Sequence, residues 1–126
     1  MRNFILMLCV LAVAMVAAAQ DFEVTGISVC KNVQDRACVE PSTTFPAATD
    51  SVWCLTFIKA AKEGKITHRW SHDGKTMLEV PLTIKTAAKT YRIWSQKNLH
   101  GLKGDWKVEV VGEDGKVLKE TTFKVE

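Results

Sequence analysis

From Phe22 onward the chain is a succession of short runs in which β-branched and aromatic residues alternate with polar ones, each run closed by Gly, Asp, Pro or Lys. Alternation with a period of two suits a strand with one covered face, and no helix keeps its apolar residues together on such a pattern. Phe22 to Cys30 reads as a first strand, followed by a long polar loop that holds Asp35, Arg36, Pro41 and Pro46. Val52 to Lys59 is almost continuously apolar, which predicts a central strand covered on both faces. In Ile66 to His72 the residues Ile66, His68 and Trp70 share one side, and Asp73-Gly74 then marks a tight hairpin. Met77 to Ile84 points Leu78, Val80, Leu82 and Ile84 inward, and Pro81 predicts an edge. Thr90 to Ser95 is the next strand. Trp106, Val108 and Val110 share a face in the strand after it, and Asp114-Gly115 turns the chain into Val117 to Val125. About seven strands and no convincing helix predict an all-β fold, an immunoglobulin-like antiparallel β-sandwich. Lys59 to Lys65 is the one helical possibility in this part and is too short to hold.

The N-terminus has a different character. Arg2 precedes an apolar run from Phe4 to Val16 and the small residues Ala17, Ala18 and Ala19, the order of a secretory signal cleaved after Ala19. A spanning helix needs roughly 20 apolar residues, so no membrane span is expected after cleavage. The expected organisation is therefore a signal peptide over 1–19 and a single β-sandwich domain over 20–126. Seventeen basic residues against 14 acidic ones give a net charge of +3, which falls to about +2 once Arg2 leaves with the signal peptide. So small a charge makes nucleic acid an unexpected partner. Export places Cys30, Cys38 and Cys54 where a disulfide persists, and three cysteines allow one internal pair with one thiol left over.

Little in the sequence carries chemistry outright. No Cys-x-x-Cys occurs, and His68 and His72, four apart on a strand, stand roughly 13 Å apart, so no metal site is expected. Neither a P-loop nor a G-x-G-x-x-G is present, which leaves no cofactor expected. Ser95, His68 and Asp105 exist as residue types, but no G-x-S-x-G elbow frames the serine. The stretches that stand out are T-H-R-W at Thr67 to Trp70, Y-R-I-W-S-Q-K-N-L at Tyr91 to Leu99, and G-D-W-K-V-E-V at Gly104 to Val110. His68, Trp70, Arg92 and Trp94 combine flat apolar surfaces with hydrogen-bond donors, and with Ser95 and Lys97 nearby they could grip a sugar, a carboxylate or a phosphate. The plainer reading is a structural cluster in which Trp70 or Trp106 fills the core and Arg92 stacks across a sheet face.

These stretches resemble a bacterial family known as domain of unknown function 2914. The resemblance rests on His68 and Trp70; on Arg92, Trp94, Ser95, Lys97 and Leu99; on Gly104, Trp106, Val108 and Val110; on Asp114, Gly115 and Leu118; and on Phe123 and Val125. Upstream it takes in Cys30, Val33, Asp35, Arg36, Phe45, Trp53, Cys54 and Thr56, with Cys38 and Leu55 as departures from the pattern. It implies a bacterial source and a periplasmic or secreted protein, and no activity. Two disulfides compete, Cys30–Cys38 across a short loop and Cys30–Cys54 between the first two strands. Because Cys30 and Cys54 are the positions that match the family, Cys30–Cys54 is the expected pair, with Cys38 free. The function expected is a non-enzymatic binding or interaction module of the bacterial envelope, with His68, Trp70, Arg92, Trp94, Ser95 and Lys97 forming an aromatic and basic face for a glycan, peptide or protein. The alternatives are a structural or assembly domain with an internal Trp/Arg cluster, and a small hydrolase.

Overall fold

The computed structural model describes residues 21–126, so the expected signal peptide and its cleavage point lie outside the described residues. Nine strands follow one another: β1 (Phe22–Gln34), β2 (Ala37–Pro41), β3 (Thr44–Phe45), β4 (Ser51–Ala60), β5 (Gly64–His72), β6 (Lys75–Ile84), β7 (Ala88–Asn98), β8 (Gly104–Val111) and β9 (Val117–Val125). Sheet A has the order β2-β1-β4-β7 and sheet B the order β3-β9-β8-β5-β6, and the two pack as a sandwich. All pairings are antiparallel except the short β3·β9 contact.

Turn chemistry sets the connections. At the β5–β6 hairpin Asp73 and Gly74 both take positive φ, +46° and +83°, the type I′ geometry that matches strand twist. The Asp73 carboxylate reaches across to accept from the Asp105 amide at 3.0 Å. Gly104 makes room for it: φ is +119° there, and a Cβ would sit 2.8 Å from Asp73 Oδ1. The segment Lys59 to Lys65 holds no helix. β4 runs through Ala60, residues 61–63 turn, and β5 begins at Gly64.

Two strands lie where the sequence predicts loop. Asp35 and Arg36 adopt φ of +51° and +61°, again a type I′ pair, and fold the chain into a β1–β2 hairpin with Val33 opposite Cys38. The turn lacks the glycine that usually signals it, which is why the segment reads as loop. The hairpin does not continue straight out of sheet A. Cys38 is bonded to Cys30 and its sulfur lies 3.9 Å from the Ser28 carbonyl, while Arg92 on β7 donates to the Arg36 carbonyl at 2.8 Å. Since β1 and β4 stand between β2 and β7, the hairpin must fold back over the outer surface of sheet A to make both contacts.

The expected Cys30–Cys54 pair is therefore corrected to Cys30–Cys38, with Cys54 a buried free thiol. The reason is register. Cys54 lies opposite Val29, and Cys30 lies opposite Trp53. Successive residues alternate faces, so Cys54 points into the sandwich and Cys30 points out of it. Burial pushes the Cys54 thiol up to about 12, which leaves it protonated and inert.

Between the sheets the core forms two clusters. One gathers Val29, Phe45, Val52, Cys54, Trp70, Leu99, Trp106, Val108, Phe123 and Val125. The other gathers Phe22, Val24, Ile58, Ala60, Ile66, Ile84, Ile93 and Val110. Trp106 stacks on Phe123 at 6.0 Å, and Phe123 meets Trp70 and Phe45 edge-on. On the outer side of sheet B, Arg69 holds Glu109 with two hydrogen bonds of 3.1 Å, and Lys107 links Glu109 to Glu120. Paired charges occupy the centre of that surface.

Candidate binding face and the buried polar string

The six residues singled out in the sequence divide into two groups, because His68, Trp70, Ser95 and Lys97 face the interior and Arg92 and Trp94 do not. Ser95 on β7 lies opposite Cys54, and Trp94 lies opposite Leu55, one position along and so on the other face.

Inside, a string of hydrogen bonds crosses from sheet to sheet. Trp70 Nε1 donates to Ser95 Oγ at 3.1 Å, and Ser95 Oγ lies 2.6 Å from His68 Nδ1. His68 Nε2 lies 2.7 Å from Thr56 Oγ1, and Thr56 donates to the Ile93 carbonyl at 3.1 Å. Only one proton arrangement satisfies every member. Thr56 has spent its proton on Ile93, so His68 must carry hydrogen on Nε2, which makes Nδ1 the acceptor of the Ser95 hydroxyl. His68 is fully buried, and burial lowers its pKa to about 4, in keeping with a neutral ring. Thr56 and Ser95 come from sheet A, His68 and Trp70 from sheet B, and the string separates the two apolar clusters. Lys97 is also buried, with its ammonium 5.6 Å from the Trp106 ring centre and donating to the Asn98 carbonyl; burial lowers its pKa.

Chemically the string is closed. A serine beside a histidine suggests a nucleophile and its base, but here the serine already receives the Trp70 N–H and the histidine ring is enclosed on both nitrogens. Asp105, the third type needed, stands exposed on β8 and contacts Lys124 at 3.9 Å.

Outside, Arg92 and Trp94 belong to a different assembly. Arg92 lies opposite Phe57, Trp94 opposite Leu55, and Gln96 opposite Trp53, all on the outer face of sheet A. The Arg92 guanidinium sits 5.2 Å from the Phe57 ring centre while holding the hairpin tip. Leu55 is only 1% exposed although it faces outward, because the hairpin and its aromatic neighbours cover it. Trp53, Phe57 and Trp94 remain partly exposed. Gln96 donates to Ser51 Oγ at 2.9 Å, extending the surface in polar character toward the start of β4. No carboxylate occupies an outward position from Ser51 to Phe57 on β4, or opposite those positions on β1 and β7. Ser51, Trp53, Phe57 and Gln96 were not singled out as site residues in the sequence. The available signal was the odd-numbered set in Val52 to Lys59, which a near-continuous apolar run conceals.

A solved structure of similar fold is the alkylpurine DNA glycosylase AlkC of Pseudomonas fluorescens bound to DNA containing an abasic site analog, at a TM-score of 0.51 and 11% sequence identity. The likeness covers 86% of this chain and 31% of that one, so it concerns the fold alone and less than a third of the glycosylase. Comparison with curated proteins gives no match. A family model described as "Protein of unknown function (DUF2914)" matches residues 63–125, which take in the His68-x-Trp70 pair, the Arg92 to Lys97 stretch and the β8–β9 hairpin. With half of its length matched, the chain belongs to the DUF2914 family.

Proposed function

We propose that this protein is an exported, non-catalytic binding module of the bacterial envelope, which takes its ligand on the outer face of sheet A. The observation that carries the reading is the sorting of side chains between the two outer surfaces. Trp53, Phe57, Trp94 and Arg92 gather on the β4 and β7 positions of one, where no carboxylate stands, while the centre of the other is occupied by paired charges. Partly exposed aromatic residues next to a cation are the composition of a recognition surface rather than of a solvated one. The Cys30–Cys38 bond supports an oxidising compartment, periplasmic or extracellular. The enclosed Ser95–His68 pair supports a role without catalysis.

A structural or assembly role is the second reading, and Arg92 favours it, since its two contacts seat the hairpin and would serve a scaffold equally well. Thermal-shift screening of the exported protein against glycans, peptidoglycan fragments and peptides, in parallel with a Trp94→Ala variant, separates the two. A binding face predicts a ligand that raises the melting temperature of the parent and not of the variant. A scaffold predicts no stabilising ligand in any class.

A further inference from the structure

The aromatic surface of sheet A does not end at Trp53. Ser51, bonded to Gln96 on that surface, also lines a cleft of about 390 Å³ together with Lys31, Pro46, Ala48, Thr49 and Asp50. The two features are therefore continuous, an aromatic shelf leading into a shallow, open cleft of mixed polarity.

We propose that this combined surface takes an oligosaccharide, with sugar rings stacked on Trp94 and Trp53 and a terminal ring in the cleft. The proposal rests on the reading of the outer face of sheet A as a binding surface, and it names the ligand class. Trp53 lies opposite Gln96, and Trp94 is two residues from Gln96 on the same face, so the indoles are diagonal neighbours about 7–8 Å apart at their backbones. Each pyranose ring presents an apolar C–H face, and a flat, electron-rich ring is its natural partner. The polar groups around the indoles are neutral amide and hydroxyl groups, Gln96 and Ser51, and these suit hydroxyls that both donate and accept. After donating one hydrogen to Ser51, Gln96 keeps its carbonyl oxygen and a second N–H for a ligand. Lys31, Thr49, Asp50 and Ser51 give the cleft both donors and acceptors.

A peptide would use this molecule differently. An extended chain adds to a sheet through the free backbone groups of an edge strand, here β7, and Trp53 lies one strand in from that edge. Dependence on Trp53 thus separates a ligand lying on the face from a strand added at the edge.

The test uses the indole N–H signals of the full chain as exported, labelled with nitrogen-15. There are four tryptophans, of which Trp70 and Trp106 are sealed in the core and serve as internal controls. The probes are chitotetraose, cellotetraose, tetragalacturonate and an extended acidic decapeptide. The expected result is that at least one oligosaccharide shifts the Trp53 and Trp94 signals and leaves those of Trp70 and Trp106 in place. Trp53→Ala should then weaken that oligosaccharide by about tenfold. Gln96→Ala, a surface change that leaves the packing intact, should weaken it by a smaller factor at an unchanged melting temperature. If no oligosaccharide moves the two indoles at millimolar concentration while the decapeptide does, the glycan assignment falls and the binding face stands. If none of the four probes moves them, both fall.

Discussion

His68 shows how much one buried side chain can specify. A neutral imidazole has one donor and one acceptor, and here each finds a hydroxyl whose own proton is directed by a further partner. Among the described residues no buried side-chain nitrogen or oxygen lacks a partner. The arrangement makes stability depend on pH in a definite sense. The unfolded chain binds a proton at His68 near 6.5, and the folded one resists until about 4. As pH falls between those values the unfolded state takes up the proton first, so stability present above 6.5 is lost on acidification. Between pH 7 and pH 5 the loss should be about 2 kcal/mol in denaturant titrations. His68→Gln should flatten that slope; an equally steep slope in the variant would show that other groups produce it. Glu109, held below the ordinary carboxylate range by hydrogen bonds from Arg69, adds its own loss only below about 4.5, outside this window. Ser95→Ala probes the same string from its other end. It leaves the Trp70 N–H and His68 Nδ1 unpaired inside the core, and equilibrium unfolding should show a loss of about 3 kcal/mol.

At the scale of elements, the strands that alternate strictly were legible in the sequence, and those that depend on a remote partner were not. β5, β8 and β9 have the expected faces, with His68 and Trp70, with Trp106 and Val108, and with Phe123 and Val125 turned inward. The near-continuous apolar run of β4 was read as covered on both sides, which holds at Leu55 and not at Trp53, Phe57 or Lys59, and the cover over Leu55 is a hairpin that no local pattern announces. The Asp35-Arg36 turn contains no glycine, and its conformation is stabilised by the disulfide and by Arg92 from far along the chain. The disulfide itself escaped because a match of Cys30 and Cys54 to the family pattern leaves undecided which face each side chain takes, and a shift of one residue reverses it. The hairpin supplies its own prediction. Closing a loop with a sequence separation of 8 contributes about 2.5 kcal/mol by chain entropy. The paired substitution Cys30→Ser with Cys38→Ser should lower stability by about that amount and speed tryptic cleavage after Lys31 and Arg36. Unaltered cleavage would mean that Arg92 and the β1–β2 ladder hold the hairpin without the bond.

For the molecule as a whole, the sandwich leaves one side where both sheets end, with β7 at the edge of sheet A and β6 at the edge of sheet B. Long open edges invite pairing with another copy, and folded proteins blunt them with proline or with inward-pointing charge. Both devices occur here. Pro81 in β6 removes a backbone donor from its edge, and Lys97 on β7 points its chain inward beneath the strand, with its ammonium over Trp106. The opposite side is closed differently, by β3 lying along β9 and by the hairpin folded back at β2. If edge protection is what Lys97 contributes, the cost of burying its charge has a measurable counterpart in self-association. Replacing it with leucine retains the apolar packing on Trp106 and removes the desolvated charge, so the single variant should be at least as stable as the parent in thermal unfolding. Combining Lys97→Leu with Pro81→Thr leaves both edges unguarded. Sedimentation velocity over a concentration series should then show the double variant self-associating more strongly than the parent, and identical profiles for the two would rule out edge protection as the reason these residues stand where they do.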